Sequence, residues 1–342
     1  MAYEVVCIGN AIMDLIATVD DDVIERNGLD RGGMMLVDAD ESARRRALVA
    51  DVAMTPGGSV ANTAACLASL GTKVAFIGKV GTDALGAFFR DGMRDIGVDF
   101  LCNADHEEVP TANCLALVTP GGERTMSTYL GACVHLSPAD IPKDVIEAAQ
   151  IVFVEGYLLD SPTSYAAVNS IFEIAGESGT RIALTLSDSR CVERHAERFH
   201  QLATHWDCDV VIANENEIKA LHTATTTDDA VEAAAARSNV SVVTLGPRGA
   251  VAVGRGNVER VSATRVESVI DLVGAGDAFA AGFLHAYVRH EHIRDALTVG
   301  ANCAAVVIQG KGARPSVKLS EVIYGGRGGG LEHCGRTAAG AN

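Results

Sequence analysis

The run Asp271-Leu272-Val273-Gly274-Ala275-Gly276-Asp277 leads without a break into the apolar helical stretch 278–288, and that junction decides how the chain is read. Three small residues at 274 to 276 let backbone N–H groups converge where a helix begins. The unpaired donors and the dipole of a helix N-terminus attract anions. The stretch therefore reads as a phosphate cradle. Asp277 falls in the first helical turn beside it, where a carboxylate can take the proton from a hydroxyl that attacks phosphorus. Taken alone, Asp277 would serve equally as an ordinary N-terminal Asp favoured by the dipole.

Working outward, Thr55-Pro56-Gly57-Gly58-Ser59-Val60-Ala61-Asn62 is a Gly-rich turn running into a helix. Its amides and Asn62 can meet sugar hydroxyls, which need paired donors and acceptors once desolvated; a plain turn with Ser59 as its cap is the simpler alternative. Gly9-Asn10-Ala11-Ile12-Met13-Asp14 puts an Asn and an acid just past the first strand, where Asp14 can accept two vicinal hydroxyls or merely end a strand. Asn214-Glu215-Asn216-Glu217 suits a Mg²⁺ held through water, or else a helix cap. Thr244-Leu245-Gly246-Pro247-Arg248-Gly249 joins two strands and reads locally as a hairpin. The Gly-x4-Gly-Lys-Ser/Thr pattern is absent, since Gly78-Lys79-Val80 and Gly310-Lys311-Gly312 both fail it, and no Gly-x-Gly-x-x-Gly follows the first strand.

Around these motifs, short apolar runs alternate with helical patterns. Residues 3–8, 74–77, 151–154, 182–186, 210–212 and 242–245 read as buried parallel strands, and 59–70 and 84–96 as helices. In the second helix Leu85, Phe88, Phe89, Met93 and Ile96 share a face and Gly97 ends it. A doubly wound sheet follows. Segments 15–37 and 98–132 break the alternation, with a hairpin over 113–129, and predict a small β-sheet lid. The main domain is then 1–14, 38–97 and 133–322, and 323–342, rich in Gly and Ala, predicts a flexible tail.

With 342 residues and a formal net charge of −16, no excess of Lys and Arg is left for nucleic acid or an anionic membrane. Nine scattered cysteines, without Cys-x-x-Cys, predict reduced thiols and a cytoplasmic compartment. The acid-bearing start predicts a first strand in place of a signal peptide, and no apolar run is long enough to span a bilayer. Cys191, His195, His200 and His205 are spaced for a solvated helix more than for a metal site.

In this order and over residues 3 to 322, the segments resemble the ribokinase-like, or PfkB, family of carbohydrate and nucleoside kinases. Gly57-Gly58 through Asn62 and Asp271-x-x-Gly274-Ala275-Gly276-Asp277 match its two signatures. Asn214-x-x-Glu217 and Thr244-x-Gly246-x-x-Gly249 stand where it keeps its magnesium and nucleotide segments. Ser59, where ribokinases typically carry Lys, and 122–132 are most similar to the nucleoside kinases. Leu272-Val273 departs from the Thr residues common there, which removes a hydroxyl near phosphate.

The resemblance implies a three-layer α/β/α fold with a small β lid, ATP with Mg²⁺, and transfer to a small-molecule alcohol, foremost the 5′-hydroxyl of adenosine. Asp277 would be the base and Gly274, Ala275 and Gly276 the anion hole, with Arg124 reaching phosphate from the lid unless it is a solvated strand arginine. Asp14, Asn10, Gly57, Gly58, Ser59 and Asn62 would hold the sugar. Asn214, Thr244, Gly246, Gly249 and Asn302 would line the nucleotide pocket, Glu217 would order Mg²⁺ through water, and Asp271 and Val273 carbonyls would take K⁺. Met13 and Met35 are candidates for an apolar base wall. A monomer or a homodimer would fit. A sugar kinase of the same family and a non-catalytic nucleoside sensor are the alternatives.

Overall fold

A computed structural model describes residues 2–101, 108–205, 208–235, 239–254 and 256–325. In chain order its strands are β1 (Val5–Ile8), β2 (Ile12–Thr18), β3 (Met34–Leu36), β4 (Ala53–Gly57), β5 (Val74–Ile77), β6 (Asp99–Leu101), β7 (Ala112–Val118), β8 (Arg124–Tyr129), β9 (Ile151–Glu155), β10 (Arg181–Thr185), β11 (Val210–Asn214), β12 (Val240–Thr244), β13 (Ala250–Gly254) and β14 (Asn257–Val261). They form two sheets, ordered β14-β13-β12-β11-β10-β9-β1-β5-β6 and β3-β8-β7-β2-β4.

The larger sheet is parallel from β12 to β6 and takes β13 and β14 as an antiparallel edge. Its central strands are apolar throughout because both faces are covered. On β1, Val5 and Cys7 enter one core while Val6 and Ile8 enter the other. Helices Ser59–Ser69, Ala275–Val288 and Ile293–Val307 cover the first face, and Pro162–Ser178, Glu215–His222 and Thr227–Ala235 the second, giving three layers. Strand order reverses between β1 and β9, and the crevice beyond the carboxyl ends of such a pair is where open α/β sheets bind ligands.

The chain leaves that crevice at Ile8, enters the smaller sheet at Ile12 and returns through Gly57-Gly58. The expected boundaries shift accordingly. Residues 12–14 and 53–57 lie in the smaller sheet, and 99–101 pair with β5 in the larger one. Pro56 and Gly57 make β4 read as a turn, yet it is an edge strand, where proline costs no ladder bond. At the far end the helix Leu319–Tyr324 carries the packed chain past residue 322, with Ile323 and Tyr324 against the core; the rest of the expected tail, 326–342, lies outside the described residues.

The helix Ala84–Asp95 forms and Gly97, at φ 83°, ends it. Its buried face is narrower than its spacing predicts, since Phe89 and Met93 are fully buried whereas Phe88 and Ile96 are each 41% exposed. Among the described residues no helix is long and apolar enough to cross a membrane.

Candidate active site

Gly274 is the N-cap of the helix Ala275–Val288 and sits at φ 79°, a conformation that favours glycine. A Cβ there would lie 2.4 Å from the Ala313 carbonyl oxygen, so the loop is packed tightly from behind. At Gly276 the opposite holds: a Cβ would meet nothing within 4 Å. The first-turn N–H groups lack intrahelical partners and a glycine N-cap offers no side chain to take one, although the Ala275 N–H donates to the Leu272 carbonyl at 3.2 Å.

Asp277, in the same turn, accepts from Ser59 Oγ at 2.7 Å on one oxygen and from Asn62 Nδ2 at 3.3 Å on the other. Burial pushes its carboxyl up to about 6; the two hydrogen bonds oppose this, the Asp14 charge adds to it and Arg314 opposes it. The result is a half-buried acid, pushed up to about 6 and held by neutral donors. Both donors come from the first turn after Gly57-Gly58, so the two sequence motifs meet side by side.

Asp14 lies on β2 between Thr55 and Cys114. Burial raises it to about 6 as well, against the charges of Arg314 and Arg124. Gly57 makes room for it, because a Cβ there would sit 2.3 Å from Asp14 Oδ2. Asn10 points its backbone N–H at Glu155 Oε2, 2.7 Å away.

Asp271 is held differently. Its Oδ2 accepts from Arg124 Nη2 at 2.6 Å and from the Gly312 amide at 2.9 Å, and its Oδ1 from the Val273 amide at 3.1 Å. Burial works against the charged form, but these amides and the guanidinium outweigh it and keep the carboxyl below its usual range. Arg124 is thus neither a solvated strand arginine nor a free phosphate ligand in this conformation. It ties the smaller sheet to the anion loop.

A cleft of about 90 Å³ opens beside Asp277, lined among others by Thr185, Ser187, Asn214, Glu217 and Thr244. Asn214 and Glu217 form a reciprocal capping box: the Asn214 side chain accepts from the Glu217 amide at 3.0 Å, and Glu217 accepts from the Asn214 amide at 2.9 Å. Burial, opposed by the Asn214 amide and reinforced by Asp188 and Asp277, raises Glu217 to about 7. Gly246, Gly249 and Asn302 do not line this cleft. The two glycines sit at positive φ in the β12–β13 hairpin, and Asn302 accepts from Thr264 Oγ1 at 2.7 Å.

Residues 2–319 match the family profile described as pfkB family carbohydrate kinase. The chain belongs to the PfkB family. It is similar to the crystal structure of an adenosine kinase from Sinorhizobium meliloti, 39% identical, with 94% of this chain and 99% of that one covered at a TM-score of 0.85. A probable sugar kinase from Rhizobium etli CFN 42 is 36% identical over 96% of this chain and 99% of its own, with a TM-score of 0.87. The adenosine kinase of Saccharomyces cerevisiae is 27% identical over 94% of this chain and 99% of its own. The fold is ribokinase-like and the protein is an ATP-dependent kinase.

One charged residue of this PfkB kinase carries no signal in the sequence, and a second carries a signal without a role. Arg314 donates from Nε to Asn62 Oδ1 at 3.2 Å and from Nη2 to Met93 Sδ at 3.4 Å. Burial lowers it to about 10, with Cys66, Asp14 and Asp277 pulling it back up. It follows Gly310-Lys311-Gly312-Ala313, a run notable only for failing a phosphate-loop pattern. Glu155, in the run Glu155-Gly156-Tyr157 that adds to the resemblance to nucleoside kinases, is the second, buried at the end of β9. The methionines also move: Met13 is fully buried, and Met35 Sδ faces Arg45. The register instead puts Ile16, Met34 and Leu36, all exposed, on the face of the smaller sheet that carries Asp14.

Among the described residues no three His, Cys, Asp or Glu side chains gather as a metal site. Mg²⁺ prefers phosphates and waters to an all-protein cage, so the donor set fits an ion brought with the nucleotide and ordered from Asn214 and Glu217.

Proposed function

We propose that this kinase phosphorylates the 5′-hydroxyl of a nucleoside, adenosine foremost, with Asp277 as general base. The observation that carries the reading is the Asp277 carboxylate, fixed by Ser59 and Asn62 beside an open helix N-terminus. A hydroxyl placed between them can lose its proton to Asp277 as its oxygen attacks phosphorus, while the Gly274 and Gly276 amides take up charge on the transferring group, with the Ala275 amide joining them if it leaves the Leu272 carbonyl. Bound Mg²⁺ supplies charge neutralisation at the phosphates. Asp14 holds the ribose hydroxyls, and Ile16, Met34 and Leu36 offer an apolar wall to a purine. Closure of the smaller sheet, with Arg124 already joined to Asp271, excludes water.

Similarity to two adenosine kinases supports the nucleoside. A K⁺ on the Asp271 and Val273 carbonyls, and a reducing, cytoplasmic setting for the free cysteines, belong to the same reading. Arg314 favours a second one. A guanidinium carries five donors, and the described contacts engage two of its three nitrogens, so it would also suit the carboxylate of an acidic sugar. A coupled ADP-release assay with Mg-ATP, run side by side on adenosine, inosine, ribose, fructose and an aldonic acid, decides. Adenosine is expected to give the highest kcat/KM; a win for the acid overturns the nucleoside reading and leaves the kinase.

A further inference from the structure

We infer that the Glu155 carboxylate is a positioning group that pins together two of the chain crossings between the sheets, and so sets where Asp14 stands relative to Asp277. The inference rests on the proposed role of Asp14 in holding the acceptor. Glu155 ends β9 at the reversal of strand order and is 1% exposed. Its Oε2 accepts from the Asn10 amide at 2.7 Å, and the Val60 amide also hydrogen-bonds to the carboxylate. Asn10 belongs to the crossing from β1 into β2, which reaches Asp14 four residues on. Val60 follows the return crossing Gly57-Gly58 and lies between Ser59 and Asn62, the two partners of Asp277.

The steric fit around the pin is tight. A Cβ on Gly9 would lie 2.0 Å from Glu155 Oε2, and a Cβ on Gly58 would lie 2.2 Å from the Asn10 carbonyl oxygen. The two crossings therefore pack on each other beside the carboxylate, with Gly9 making room for its oxygen and Gly58 for the Asn10 backbone. Stability alone would not choose an acid here. Burial pushes Glu155 up to about 8, the two amides pull it down only in part, and Asp277 faces it as a like charge. An apolar side chain would avoid that desolvation cost. Only an acceptor oxygen, however, can tie down the amide of a crossing that has left one sheet and not yet joined the other. Neutral or charged, the carboxyl keeps an oxygen for Asn10.

The test compares Glu155→Leu, which removes the acceptor, with Glu155→Gln, which keeps one oxygen, in the full chain. The readouts are KM for ATP and for the acceptor that the assay above selects, together with thermal unfolding. Glu155→Leu is expected to raise acceptor KM about tenfold and leave ATP KM unchanged, with Glu155→Gln within about threefold of the parent. In an Asp14→Ala background Glu155→Leu should add nothing further to acceptor KM. Should Glu155→Leu not fold, Gly9→Ala displaces the carboxylate without removing it and should give the same split. A parallel rise in both KM values, or an effect fully additive with Asp14→Ala, overturns the pin. If Asp14→Ala itself leaves acceptor KM unchanged, the role of Asp14 falls while the split between the two KM values still decides Glu155.

Discussion

The loop 271–277 begins and ends on an aspartate, and its two ends hold that side chain in opposite ways. Asp271 is met by a guanidinium and two amides, all of which favour the charged form, and it stays ionised below the usual carboxylate range. Asp277 is met only by a hydroxyl and a side-chain amide, both neutral, and its carboxyl is pushed up to about 6. A carboxylate that is fully satisfied makes a good anchor and a poor base. One that is half-buried, met only by neutral donors and close to another acid keeps enough proton affinity to do chemistry. Two residues of the same type, six positions apart, are thereby set to different tasks.

The largest effect that can break this comparison comes from neutralising each end in turn. Asp277→Asn is expected to lower kcat by about 10² to 10⁴ while leaving ATP binding near that of the parent, because the amide preserves shape and removes the base. Asp271→Asn keeps a base in place and loosens the loop, so its loss of kcat should be smaller and accompanied by weaker ATP binding and a lower Tm. Steady-state rates with nucleotide titration read both. Equal losses from the two variants would show that both carboxylates serve one structural purpose.

A middle-sized effect separates the two glycines between them. Gly274→Ala places a Cβ at positive φ against the backbone of Ala313, and should cost about 1 to 3 kcal/mol of stability, seen as a fall in Tm. Gly276→Ala meets no protein atom. It should leave Tm alone and raise ATP KM by intruding on the space where phosphate would sit. If both variants behave alike, the opening at Gly276 is not the anion hole.

The contrast also explains what the sequence disclosed. The cradle, Asp277 and the strands of the larger sheet were legible because local rules govern them: small residues before an apolar helix, and apolar runs too uniform to face water. The smaller sheet is legible in the sequence but its bounds are not, since Pro56 and Gly57-Gly58 signal a turn whether or not an edge strand runs into it. Asn214 and Glu217 were flagged by their spacing, yet that spacing equally builds the capping box found there. Arg314 gives no signal at all, and Glu155 gives one only as part of the run Glu155-Gly156-Tyr157, whose likeness to nucleoside kinases says nothing of what the carboxylate holds. Their importance comes from burial among residues far away in the chain, and a single Arg after a glycine run or a single Glu at a strand end does not announce its surroundings.

The smallest and most discriminating effect is a shift in pH dependence. The folded-state carboxyl of Asp277 titrates near 6, above its usual 3.8, so folding binds its proton more tightly. Its contribution to stability is therefore complete below the unfolded value and is lost as pH rises through about 6. Catalysis runs the other way, since the base must be ionised: kcat/KM should fall about tenfold per unit as pH drops below 6 and level off above it. Ser59→Ala removes the 2.7 Å hydrogen bond that favours the ionised form. The acid limb should then move upward, on the order of one pH unit, while the plateau at pH 8 changes only a few-fold. A limb that stays put would mean that Ser59 does not hold the carboxylate during turnover, and that the dryness of the site alone keeps the acid near neutrality.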